Sequence, residues 1–361
     1  MLGYAGISEA LRIFFGLKQA LGEQFDFRII ATDIEFSDQL VPESGAMIAD
    51  LHDDGQSSFV YSDGTQRRFQ NLALRQSDIF IATAWWTAAH AKRLARQQST
   101  FFGQPKKKFI YLIQDYECGF YAWSSRSALA ESTYRQADDF FAIFNTPILQ
   151  EYFAKNDYDI AGAVYKPPMN EEIVRHIDRS VAKQKIVLIY MRPSAHRNCL
   201  EFANAVVHTA KRSDPLFWRE WTFVAIGEKI DGSDLPNDSL MENRGRLSLR
   251  EYGDLLSRAM IGLSFMVSPH PSYPPLEMAA AGMRVLTNTY ANKNLSRLHG
   301  NIHSFDVFDT EQVARQLRGI AEDAVTSGPV WDASRIDWFF DGKTNLGPVI
   351  EQTCAEIMRQ I

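Results

Sequence analysis

Cysteine is scarce: only Cys118, Cys199 and Cys354, widely spaced and odd in number. That leaves no basis for a disulfide framework or a cysteine zinc cluster and fits a reducing cytoplasm. Long apolar runs are missing, and nothing approaches the roughly 20 residues of a membrane-spanning helix. The N-terminus also lacks the basic-then-apolar layout of a secretory signal. There is no basic excess, since 38 Lys and Arg stand against 44 Asp and Glu for a net charge of -6. The electrostatic footprint of a general nucleic-acid binder is therefore absent. Internal repeats and low-complexity tracts are lacking too. What remains is an ordinary soluble composition, 45% hydrophobic and 23% charged, over 361 residues. That length exceeds what one core usually serves, so two domains are expected, in the cytoplasm.

Short apolar runs alternate with segments of helical period. Strands are predicted at 27–33, 78–86, 108–115, 140–146 and 161–166 in the first half, and at 185–191, 221–227, 261–267 and 284–288 in the second. Continuous apolar strands separated by helices indicate parallel sheets covered on both faces. Two such sets predict two doubly wound α/β domains. The stretch 165–185 opens with two prolines and turns polar, and is read as the join. The chain ends in an apolar pattern at Val349, Ile350, Cys354, Ile357 and Met358, read as an amphipathic helix. The stretch 3–21 reads as a glycine-bearing turn entering a helix, with only Met1 and Leu2 before it. A first strand is thus missing, and residues upstream of Met1 in the natural protein are expected to supply it.

The most telling stretch is "SPHPSYPPLEMAAAG" (268–282), with four prolines ahead of a Leu-Glu pair. It follows a predicted buried strand, so it stands where open α/β sheets bind ligands. Proline suits a helix's first turn, so a helix is predicted from Pro274 or Pro275 through Ala281, with Gly282 as its left-handed stop. N–H groups near Ser272, Tyr273 and Leu276 would face a crevice as an anion site, and Glu277 could accept bonds from ribose hydroxyls. The same residues also suit a rigid loop and a helix-start glutamate, and spacing alone does not choose. A second element, "IYMRPSAHRN" (189–198), brings Arg192 and Arg197 to a strand end and a helix start, which suits bidentate phosphate binding. Gly227 ends a third strand, where a flat base could pass.

These residues, with "IATAWWTA" (81–88) and "IQDYECGFYAW" (113–123), resemble GT-B glycosyltransferases of family 4, and more closely the bacterial polysaccharide rhamnosyltransferases of the WsaF type. The resemblance implies a GT-B architecture: two Rossmann-like domains facing a central cleft, with a C-terminal helix packing back toward the first. The domains expected are 1–168 for the acceptor, 183–335 for the donor, and a crossing helix in 336–361. It implies transfer of a hexose, L-rhamnose from dTDP-rhamnose, onto a growing surface polysaccharide, with retention of anomeric configuration. Arg192 and Arg197 match the family's basic pair, placed at the pyrophosphate. Glu277 matches the second carboxylate of E-x7-E, placed at the donor ribose. Ser272, Tyr273, Leu276 and Gly227 complete the donor set. The first carboxylate falls on Pro269, so its role must pass elsewhere, with His270 or backbone groups as candidates.

Gly6, Ser8, Trp86, Asp115, Glu117 and Tyr121 form the acceptor set. Aromatic faces at Trp85, Trp86, Phe120, Tyr121 and Trp123 suit the apolar C–H surfaces of sugars, though Trp85 reads better as core. An inverting reaction would need a base; Asp115 is the first candidate, with Glu117 and His52 behind it, and each could instead cap a helix. No cofactor or metal is expected, since two arginines can stabilise a leaving pyrophosphate. The lone D-x-D, Asp157 to Asp159, reads as a solvated turn. The stretch 91–108 holds six basic residues and no acidic one. It reads as a solvated loop, or as a peripheral contact with anionic lipid at the inner membrane near a lipid-linked glycan acceptor. Two rival readings stand beside the transferase: a sugar-nucleotide epimerase or hydrolase on the same architecture, and a non-catalytic module of a larger polysaccharide synthase.

Overall fold

A computed structural model of the chain describes residues 5–32, 47–48, 51, 59–63, 71–230, 240–340 and 342–361. The chain divides into two compact units. The first holds Met1–Cys118, Trp123–Tyr165 and Asn345–Ile361, and the second holds Gly119–Ala122 and Lys166–Thr344.

In the first unit the order is α1 (Ala5–Leu21), β1 (Phe27–Ala31), β2 (Met47–Ile48), β3 (Phe59–Asp63), β4 (Ile81–Ala82), α2 (Trp85–Phe102), β5 (Phe109–Ile113), α3 (Ser125–Ser132), β6 (Phe140–Asn145), α4 (Pro147–Lys155) and β7 (Gly162–Tyr165). The described strands pair in parallel as β1-β3-β2 and as β4-β5-β6-β7. The sequence of β5 shows why both faces are covered. Phe109, Tyr111 and Ile113 point into one buried cluster with Phe140, Tyr134 and Phe153, while Ile110 and Leu112 point into another with Ile13 and Leu17.

The second unit runs α5 (Glu171–His176), β8 (Gln184–Met191), α6 (Leu200–Ser213), α7 (Pro215–Trp218), β9 (Thr222–Gly227), β10 (Glu242–Gly245), α8 (Leu249–Arg258), β11 (Ala259–Ser264), α9 (Pro274–Ala280), β12 (Arg284–Asn288), β13 (Ile302–Phe305) and α10 (Thr310–Ser327). The strands form one parallel sheet in the order β10-β9-β8-β11-β12-β13. Counted from β8 this is 3-2-1-4-5-6, the doubly wound dinucleotide-type order, whose ligand-binding switch point lies between strands one and four. Here those strands are β8 and β11. In β8, Val187, Ile189 and Met191 face the cluster built with α6 and α10, while Leu188, with Ile186 and Tyr190 partly buried, faces the cluster built with α8 and α9. A methyl on Gly262 would come within 2.6 Å of the Met278 sulfur, so glycine lets α9 lie close on β11.

The last helix, α11 (Leu346–Met358), belongs to the first unit and packs on α1, where a methyl on Gly16 would meet Ile350 at 2.9 Å.

Three expectations need correction. The run 78–86 is not one strand: only Ile81 and Ala82 pair, and Trp85 already opens α2. Thr87 Oγ1 accepts from the Thr83 and Ala84 N–H groups, and that cap overrides the β propensity of the aromatic pair. The basic run 91–108 is mostly the second half of α2 rather than a loop. Strands β2, β3, β10 and β13 escaped the apolar-run criterion because they are short or polar, as "ENRG" of β10 illustrates.

Candidate functional site

The switch point of the second unit gathers chemistry on Tyr190, the last residue but one of β8. The charges of Arg192, Glu277 and Glu228 all act on the Tyr190 hydroxyl, which burial pushes above its usual value. The Arg192 Nε donates to Glu228 Oε1 at 3.0 Å. Glu228 also accepts from the Ser194 N–H at 3.0 Å and its hydroxyl at 2.8 Å. Burial would raise the Glu228 carboxyl, but the Ser194 bonds and the Arg192 charge hold it below its usual range. Gly227 closes the other side. Its φ is +119°, and a methyl there would stand 2.3 Å from the Met191 carbonyl oxygen and 3.3 Å from the Tyr190 ring. Glycine is thus required where β9 ends beside β8.

Glu277 approaches from α9. It is 8% exposed, and its Oε2 accepts from the Tyr252 hydroxyl of α8 at 3.0 Å. Burial pushes the Glu277 carboxyl up to about 7, against the lowering effect of the Tyr252 bond. Arg192, Gly227 and Glu277 therefore converge around Tyr190. Tyr190, Glu228 and Tyr252 escaped sequence reasoning. Glu228 follows Gly227 directly, so the strand end offered a usable signal; Tyr252 sits on a helix 25 residues before its partner, where no local pattern points to it.

Arg197 lies on the loop before α6. Its carbonyl accepts from the Val267 N–H at 2.8 Å, which ties that loop to the end of β11. Its guanidinium sits over the Phe120 ring at 3.8 Å, in the segment that clusters with the second unit. Below β11 the proline-rich loop is braced from beneath. The Asn288 side chain accepts from the Met266 N–H and donates to its carbonyl, and the buried Lys293 ammonium donates to the same carbonyl at 2.6 Å.

Two donor-site expectations are corrected here. The Leu276 N–H bonds to the Tyr273 carbonyl at 3.0 Å and its side chain is wholly buried, so Leu276 is core. The Ser272 N–H, on a left-handed residue with φ of 66°, donates to His270 Nδ1 at 3.0 Å instead of facing a crevice. Tyr273 stacks on Phe339 with ring centres 6.0 Å apart. With seven residues, α9 contributes only a short dipole.

In the first unit, Gly6, Gln114, Asp115 and Glu117 meet at the ends of β4 and β5. A methyl on Gly6 would strike Gln114 Oε1 at 2.7 Å, and Gln114 donates to the Thr83 carbonyl at 3.0 Å. Asp115 is buried, with one carboxylate oxygen accepting from the Tyr116 N–H at 2.8 Å. Glu117 is buried too, and accepts from the Trp85 N–H at 2.5 Å, so it caps α2. Ser8 is half-buried on α1, and Trp86 is half-buried beside Trp85, its ring edge-on at 5.9 Å. Trp85 packs against the core, and Trp123 is fully exposed. Tyr121 clusters with the second unit, whereas the rest of its set belongs to the first. His52 lies outside the described residues. Asp157 is left-handed, just past the end of α4, which is a turn. Of the six basic residues in 91–108, Lys92 and Arg96 lie 3.7 and 3.9 Å from the buried Asp139, and Lys106 pairs with it as well.

Comparison with known proteins places this architecture. Three GT-B-type solved structures superpose on most of the chain. A variant of Staphylococcus aureus TarM, in complex with fondaparinux, α-GlcNAc-glycerol and UDP, gives a TM-score of 0.57 at 10% identity, over 79% of this chain and 56% of that one. Anabaena HepE with UDP-glucose gives 0.54 at 13% identity, over 79% of each. The pneumococcal O-GlcNAc transferase GtfA gives 0.51 at 13% identity, over 79% of this chain and 57% of that one. At such identities the likeness concerns the fold, and the fold is that of the GT-B glycosyltransferases. The WsaF N-terminal domain model matches residues 2–147 and the WsaF C-terminal domain model residues 185–318. The chain belongs to the WsaF family of GT-B glycosyltransferases. The O-antigen biosynthesis protein RfbC of Myxococcus xanthus is 33% identical over 236 residues, which is 65% of this chain and 17% of RfbC. The chain thus spans a small part of that relative's length.

Proposed function

We propose that the chain is a glycosyltransferase of bacterial surface-polysaccharide assembly, taking its sugar from a nucleoside diphosphate donor held by the second unit. The observation that carries this reading is that the charges of Arg192 and Glu277 both act on Tyr190 at the sheet's switch point, the cation assigned to phosphate and the carboxylate to ribose. In this reading Arg192, together with Arg197, stabilises the charge that grows on the leaving pyrophosphate, so the guanidinium groups serve where other transferases use a metal. The donor is dTDP-linked rhamnose, as the sequence resemblance implies, and no separate cofactor takes part. Gly6, Ser8, Trp86 and Asp115 of the first unit are the residues proposed to meet a glycan or lipid-linked glycan acceptor. The leaving phosphate accepts the acceptor's proton with retention of configuration, and the anomeric proton coupling of the product reports the outcome. Any lipid contact would rest on Arg93, Lys107 and Lys108, since Asp139 holds the other three cations; cosedimentation with anionic vesicles tests it. Among the described residues no helix is long and apolar enough to cross a membrane.

The deciding experiment is calorimetric titration of dTDP, UDP and GDP sugars into wild type and Arg192→Ala. The expected result is binding of one donor class and a loss of roughly 10- to 100-fold in the variant, the scale of a charged hydrogen bond. Equal binding to both proteins removes the pyrophosphate assignment. Turnover of donor without acceptor would instead indicate an epimerase or hydrolase, and no nucleotide binding at all would indicate a non-catalytic module.

A further inference from the structure

We infer that Tyr252 is a positioning residue that fixes the Glu277 carboxylate for the ribose hydroxyls of the donor nucleotide, an inference that rests on the donor-site reading above. Among the described residues, the Tyr252 hydroxyl is the one hydrogen-bond donor recorded on the Glu277 side chain, at 3.0 Å. It reaches Oε2 from α8, a different element, and so leaves Oε1 as the acceptor for a ligand. A carboxylate on a helix has several rotamers, and a ribose edge demands one of them. The bond from α8 selects it. Tyr252 is itself held by position: the Ser248–Glu251 capping box starts α8 one turn earlier, with Ser248 Oγ accepting from the Glu251 N–H and Glu251 Oε2 accepting from the Ser248 N–H.

The bond also sets protonation. The groups facing Glu277 are Tyr252 from α8 and Tyr190 from β8, with Arg192 and Glu228 acting on Tyr190. Among the described residues no cation acts on Glu277 itself, so burial favours its neutral form and the Tyr252 bond opposes that. Burial and the adjacent Glu277 charge push the Tyr252 phenol well above its usual value, so it stays a donor throughout the working range. A protonated Glu277 would lose an acceptor lone pair that the ribose needs.

The test is binding of dTDP and of UDP, each alone, to the full chain from pH 6 to 9. Wild type is expected to tighten as pH rises through the Glu277 transition and then level off. Tyr252→Phe keeps the ring and removes the donor, so its transition moves up by about one unit, with about fivefold weaker binding at pH 7 and recovery toward wild type at pH 9. Glu277→Gln is expected to bind weakly at every pH, retaining only the nucleotide's own phosphate titration. A Tyr252→Phe profile that overlays wild type, with Glu277→Gln still impaired, overturns the positioning role and leaves the ribose reading standing. Wild-type binding by Glu277→Gln overturns the ribose reading and this inference together. Should Tyr252→Phe fail to fold, 3-fluorotyrosine at position 252 decides: a stronger donor shifts the transition down, and an unmoved transition overturns the inference.

Discussion

The Glu117 carboxylate accepts the backbone N–H of Trp85, 32 residues earlier in the chain, at 2.5 Å. Trp85 is the first residue of α2, and the residue before it, Ala84, has no side-chain oxygen to cap the helix. A buried carboxylate from the turn after β5 therefore does what a Ser or Asp N-cap normally does, with the helix dipole adding to the bond. Glu117→Ala is expected to cost about 1–2 kcal/mol in urea denaturation, and Glu117→Gln less, because the amide oxygen still accepts. Equal stability of all three proteins would return Glu117 to the acceptor set.

Much of this fold shows in the sequence because its core strands are buried on both faces and so read as continuous apolar runs; "KIVLIYM" needs no partner to be recognised. The misreadings share a cause. Trp85 and Trp86 look like strand residues until Thr87 and the distant Glu117 are seen capping a helix there. The grouping around Tyr190 was legible where the backbone fixes position, at the strand ends of Arg192 and Gly227 and the helix start of Glu277. It was illegible at Tyr252 and Glu228, whose roles exist only once α8 meets α9 and β9 meets β8. Leu276 shows the opposite error, a residue of suggestive position whose N–H is taken up by its own turn.

The buried Glu277 carboxyl destabilises the fold at neutral pH relative to acid. Its carboxyl is raised from 4.5 to about 7 in the folded chain. The folded state thus binds a proton that the unfolded state releases, so this stabilisation is complete below about pH 4.5 and lost as pH rises through about 7. Glu277→Gln stays neutral throughout. The stability of the variant relative to wild type is expected to rise by up to about 3 kcal/mol between pH 4.5 and pH 8. Chemical denaturation at both pH values measures it, and a pH-independent difference would show that Glu277 titrates normally.

Gly227→Ala should be among the more damaging small substitutions in the second unit. The left-handed φ of 119° disfavours any side chain, and the new methyl would lie 2.3 Å from the Met191 carbonyl oxygen, a backbone atom that cannot swing away. A loss of about 2 kcal/mol or more is expected. Because the methyl also approaches the Tyr190 ring, nucleotide affinity should fall even below the melting transition, and thermal shift with and without dTDP separates the two effects.

Lys183 joins two helix ends. Its ammonium donates to the Leu256 carbonyl in the last turn of α8 at 2.8 Å and to the Ala281 carbonyl just past α9 at 2.7 Å. Burial pulls its pKa down to about 7, while both carbonyls, at the end of one helix and just past another, take a bond from it. Lys183→Met keeps the aliphatic stem and removes the donor. It is expected to destabilise the chain by about 1–3 kcal/mol in urea denaturation, and a neutral outcome would mean that water serves both carbonyls.

Glu228 touches Arg192 through Nε, and its bonds to the Ser194 N–H and hydroxyl hold the loop that follows β8. If Arg192 grips a diphosphate, Glu228 sets the direction of the guanidinium plane rather than contacting the ligand. Glu228→Gln keeps one acceptor and loses the charge, so the loop loosens while the fold is retained. Binding of dTDP should then weaken by about tenfold, the scale of one charged hydrogen bond, whereas thymidine, which lacks phosphate, should bind as it does to wild type. Calorimetry with both ligands on both proteins distinguishes this from a general disturbance. Parallel losses for thymidine and dTDP would place Glu228 under the base or ribose, and an unchanged dTDP affinity would mean that Arg192 is not oriented by Glu228 when the nucleotide binds.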